Sequence, residues 1–130
     1  MSQPDRQNDP AFAATVPQAA DAKARVRTAF DTVRKALLLQ THADGGKDPV
    51  AVTAVAANAR LSMSAGAAYL VARLDPATPP PLAAAVRRFA ELLEDIAMNS
   101  LAGVANEDPV QAARLRDAEA ASVRVAELCK

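Results

Sequence analysis

The sequence predicts an all-α protein, a four-helix up-down-up-down bundle with a disordered N-terminal arm, and three observations predict it. Apolar residues recur at steps of three and four, as in Val26, Phe30, Val33 and Leu37, which is the period of one helix face. Asp48-Pro49 and Asp108-Pro109 each read as an N-cap followed by the first helical residue, where proline has no N–H to lose and its φ is already helical. The composition is rich in alanine, with Phe12, Phe30, Phe89 and Tyr69 as the aromatic rings. Alanine favours helix, and small side chains let helices approach closely.

The chain of 130 residues fits one domain with a proper core. Residues 1–16 read as a flexible arm, because their Pro, Gln, Asn and Asp content buries too little apolar surface to repay ordering. Asp9-Pro10 could begin one helical turn there, and Phe12 is the residue able to pin the arm down. Residues 17–130 form the bundle domain.

Helix one is expected over residues 17–43, with Val26, Phe30, Val33 and Leu37 inward and Ala22, Ala29 and Ala36 extending the stripe. Gly45 and Gly46 are expected to stop it, since glycine readily takes the left-handed conformation of a helix end. On its outer side Lys23, Arg27 and Arg34 form a basic line, interrupted by Asp31.

Helix two, residues 49–74, has Arg60 and Arg73 as its only charges, and the other helices are expected to be organised around it. Val52, Val55, Ala59, Met63, Gly66, Leu70 and Leu74 can share an inner face, with Tyr69 at its edge. Gly66 costs about 1 kcal/mol against alanine in mid-helix, so a close helix crossing is expected at Ser62 and Gly66. The opposite face, with Ala54, Ala57, Leu61, Ala65, Ala68 and Ala72, is apolar too.

Helix three is expected over residues 79–105, opened by Thr78 as a cap before Pro79-Pro80-Pro81. Leu82, Val86, Phe89, Leu93, Ile96, Ser100 and Leu101 continue its seam. Helix four, residues 109–129, places Leu115, Ala118, Ser122, Val125 and Leu128 inward. Asp48-Pro49-Val50 recurs as Asp108-Pro109-Val110, and shared capping chemistry explains this better than duplication of a helical hairpin.

Composition and motif counts argue against most chemistries. Basic and acidic residues balance at 15 each, so net charge selects no polyanionic or polycationic partner. A carboxylate-bridged dimetal bundle needs several inward Glu and His residues, and a zinc site needs four N or S ligands. One histidine and one cysteine supply neither. His42 precedes Ala43-Asp44-Gly45-Gly46-Lys47, so its helix ends where a phosphotransfer domain would need a further turn. In the last turn a histidine interacts favourably with the helix dipole. Catalytic residues, metals and cofactors are therefore expected to be none, and the protein is expected not to be an enzyme. Cys129 cannot form an internal disulfide, and the first residues lack a basic start and apolar run, so a cytoplasmic location is expected. Asn58 and Arg60 in mid-segment argue against a membrane span in helix two.

What remains is association. The exposed apolar face of helix two, carried by Ala54, Leu61, Ala65, Ala68 and Ala72, suggests a homodimer or another protein partner, since exposed apolar patches mark association sites and a two-fold dimer needs one self-complementary patch. The expected role is an adaptor, chaperone-like or regulatory subunit. Two alternatives stand beside it. Helix one carries five basic and two acidic residues between 17 and 42, and Lys23, Arg27 and Arg34 could bind anions such as nucleic acid or a charged surface. That surplus is modest and no aromatic is interleaved for base stacking, so nucleic acid is disfavoured. The shortage of large side chains could instead leave a pocket for a small apolar ligand, lined by Met63, Tyr69 and Phe89.

Overall fold

The computed structural model describes residues 14–130 and is all-helical among them, with four helices and no strand. The helices are α1 (Val16–Thr41), α2 (Pro49–Ala72), α3 (Pro80–Leu101) and α4 (Pro109–Leu128). The arm read over residues 1–16 lies outside the described residues up to 13, including Asp9-Pro10 and Phe12. Of its described residues, Val16 is the first of α1. Thr15 is the N-cap, accepting from the Gln18 N–H at 3.2 Å, while the Gln18 side chain accepts from the Thr15 N–H at 2.9 Å. This reciprocal box satisfies two donors that a helix start otherwise leaves open.

The Asp-Pro starts of α2 and α4 are built in the same way. The Asp48 carboxylate accepts from the Val50 N–H at 3.0 Å, and that of Asp108 from the N–H groups of Val110 and Gln111 at 3.0 and 3.1 Å. Helix α3 differs from expectation. Its N-cap is Pro79, without a side-chain cap, and Thr78 lies buried in the preceding turn. Asp75 organises that turn instead, its carboxylate accepting from Ala77 and its carbonyl from Thr78.

The glycines act differently from their expected role as helix stops. Helix α1 ends on His42, whose ring Nδ1 lies 3.1 Å from the Leu38 carbonyl oxygen, before the glycines are reached. Gly46 turns the chain at φ +64°, and Gly45 lies so close to α2 that a Cβ there would sit 2.5 Å from the Val52 nitrogen. Similarly, α3 stops at Leu101 rather than 105, because Gly103, expected inside the helix, takes φ +93° just beyond it.

Helix α3, not α2, is the element the core is organised around. It buries Leu82, Ala83, Val86, Phe89, Ala90, Leu92, Leu93, Ile96 and Ala97, a stripe wide enough to meet α2 on one side and α4 on the other. Each large side chain among these contributes about 1.5–3 kcal/mol on burial. Helix α2 buries only Ser62, Gly66, Ala67 and Leu70, because its many alanines offer little volume to a core. Consecutive helices pack most closely on one another. The main cluster joins Val26, Phe30 and Val33 of α1 to Leu70, Phe89, Leu93, Val125 and Cys129. Phe30 and Phe89 meet edge to face at 5.9 Å, a favourable aromatic geometry.

Several expected core positions are outside. Val52 and Leu101 are exposed, and Tyr69 is partly so, with the Arg73 guanidinium 3.5 Å above its ring. Gln111 is fully buried although polar. Its amide donates to the Ile96 carbonyl at 3.0 Å and its carbonyl accepts from Arg114 at 3.0 Å, so both ends are satisfied.

Candidate association surface

The outer face of α2 carries the candidate site. Ala54, Leu61, Ala65, Ala68 and Ala72 are all exposed. The inner face of α2 is drawn toward α1 through Gly66, where a Cβ would lie 2.8 Å from a Val33 methyl. That close approach fixes which side of α2 looks outward.

Leu61, 63 % exposed, is a crest between two grooves. On one side a shallow groove of about 270 Å³ runs against α1, between Ala36 and Gln40 and the α2 residues Asn58, Leu61 and Ala65. On the other a larger groove of about 590 Å³ runs against α3, with Ala57, Leu61, Met98 and Leu101 as apolar walls. Met98 and Leu101 are 66 % and 63 % exposed. Sequence reasoning missed this second half of the surface. The apolar spacing puts Leu101 in the seam and gives Met98 no face, and the signal is the end of α3, where the seam runs out into solvent.

Arg60 lines the larger groove from α2, and Glu94 and Asp95 line it from α3. None of these side chains makes an ion pair or hydrogen bond with a described residue. The groove is therefore apolar along its floor and carries both signs of charge at its edges.

The basic line of helix one is largely engaged within the chain. The Arg27 guanidinium donates to the Cys129 carbonyl, from Nε at 2.7 Å and also from Nη2, and the Lys23 ammonium donates to the Lys130 carbonyl. These bonds satisfy carbonyls that a helix end leaves without partners and place positive charge at the negative end of the α4 dipole. Arg34 makes no side-chain hydrogen bond or ion pair with a described residue. Cys129, one residue from the end of the sequence, is only 4 % exposed and packs into the core cluster. Burial pushes its thiol pKa up from the ordinary value, with Arg27 and Lys23 opposing more weakly.

Of the three residues expected to line an internal pocket, Met63 and Phe89 share a cleft of about 230 Å³ between α1 and α4. Tyr69 lies elsewhere, beneath Arg73. Among the described residues no group of three or more His, Cys, Asp or Glu is placed to hold a metal ion, and no helix is long and apolar enough to cross a membrane. In comparisons with family models, curated proteins and solved structures, the chain matches none.

Proposed function

We propose that this protein is a non-enzymatic interaction module that associates with a second copy of itself through the outer face of α2. In this reading it works in the cytoplasm as an adaptor, chaperone-like or regulatory subunit, and its helices alternate in direction as an up-down-up-down bundle. The closest packing between consecutive helices supports that alternation, and a single buried cysteine fits a reducing compartment.

The observation that carries the proposal is the continuity of exposed apolar surface from Leu61 across the groove to Met98 and Leu101. A two-fold arrangement uses each of these side chains twice. Completing their burial supplies on the order of 10 kcal/mol gross, against a cost of about 4–15 kcal/mol for association. The balance favours a dimer that forms and dissociates with concentration, suited to exchange between partners.

Leu61→Glu and Ala65→Glu test the surface. Both positions are exposed, so helical circular dichroism should be unchanged. Leu61→Glu should weaken the dimer by about 2 kcal/mol or more, roughly thirtyfold in Kd by sedimentation equilibrium. Unchanged association, or loss of helicity in both variants, would sink the proposal.

A further inference from the structure

The cleft between α1 and α4 has a floor of core side chains and a mouth with hydrogen-bond donors. Helices α1 and α4 pack less closely than any consecutive pair, and the bonds from Lys23 and Arg27 tie α1 to the end of α4. Beyond that tie, a space of about 230 Å³ opens, reaching Met63, Phe89 and Leu93, so side chains of α2 and α3 form its floor. A dry cavity of about 150 Å³ is enough for benzene, so this one accommodates a single ring with a short substituent.

The polar groups of the mouth select the substituent. Arg34 on α1 and Ser122 on α4 both line it, and neither side chain has a hydrogen-bond partner among the described residues. Arg34 also borders the neighbouring recess beside Ala126, so it stands along the seam between the two helices. A guanidinium presents a planar fork that matches a carboxylate with two parallel bonds, and the hydroxyl is a further donor. Glu119 is the opposing charge at the same mouth. It would repel a carboxylate and attract an amine, which makes ligand charge the decisive variable.

We propose that this cleft binds a small apolar carboxylate, an aromatic ring carrying a short acid side chain, with the ring among Met63, Phe89 and Leu93 and the carboxylate on Arg34 and Ser122. The site is separate from the outer face of α2, so it can be tested independently of self-association.

The experiment is fluorine NMR of a ring-fluorinated phenylacetate titrated with the full chain, alongside fluorobenzylamine and fluorobenzene. Saturable broadening of the phenylacetate is expected, with the amine and the neutral ring bound at least about tenfold more weakly. Arg34→Gln, at an exposed position, should lower phenylacetate affinity about tenfold and leave fluorobenzene unchanged, while Leu61→Glu should alter neither. No saturable phenylacetate binding would overturn the proposal. So would equal affinity for the amine or for fluorobenzene, undiminished binding by the Arg34→Gln protein, or loss of phenylacetate binding on Leu61→Glu, which would move the site to the α2 surface.

Discussion

Replacing Gly66 by alanine sets two effects of opposite sign against each other. Alanine in mid-helix is favoured over glycine by about 1 kcal/mol. The added Cβ, however, would sit 2.8 Å from the Val33 Cγ1, well inside the roughly 3.5–4.0 Å at which carbon atoms pack. Val33 is 3 % exposed, and a β-branched side chain in a helix has one strongly preferred χ1, so its methyl cannot swing aside. Overpacking of this kind costs about 1–3 kcal/mol. The clash wins, and Gly66→Ala should destabilise the protein by about 1 kcal/mol net. Val33→Ala alone should cost about 2 kcal/mol through lost burial and cavity formation. In that background the obstructing methyl is gone, and Gly66→Ala should become stabilising by about 1 kcal/mol. Urea unfolding followed by helical circular dichroism measures all four proteins of the cycle. The same sign for Gly66→Ala in both backgrounds would refute the reasoning.

Two further predictions concern the end of α4. Arg27→Ala removes the guanidinium from the Cys129 carbonyl and should cost about 1 kcal/mol, seen as faster amide exchange in the last turn of α4 with little change in α2; uniform protection would contradict it. Cys129 has a raised pKa in the folded chain, so the folded state holds its proton where the unfolded state releases it. Stability from this group is fully present below the ordinary thiol pKa and is lost as pH rises through the folded one. Urea midpoints should therefore fall with alkaline pH more steeply in the natural chain than in Cys129→Ala, and identical slopes would refute the assignment.

The helices were legible because the signals that make them are local. Alternating apolar spacing and Asp-Pro caps act within a few residues, and the Asp48 and Asp108 carboxylates make the bonds that spacing implied. Which helix sits innermost was not legible in α2, where apolar residues occupy nearly the whole circumference and alanine counts as apolar without filling a core. The packing of α3 on both neighbours decides it: Leu92, off the assigned seam, packs with Leu115 and Ala118 of α4, while Ala97, also off it, lies beside Ala57 and Leu61 of α2. Gln111 was missed because its burial depends on an acceptor in another helix, the Ile96 carbonyl, to which its amide donates. The role of Arg27 was missed for the same reason, since its partner lies at the far end of the chain. The outward positions of Ala54, Leu61, Ala65, Ala68 and Ala72 followed from periodicity. Met98 and Leu101 joined that surface only once the end of α3 was fixed.

The central claim is self-association, and light scattering behind size exclusion tests it most directly when the unmodified chain is run over a wide concentration range. The apolar surface spanning Leu61, Met98 and Leu101 predicts a mass that rises with concentration from one chain toward a plateau at two. A mass that stays at one chain throughout would contradict the account.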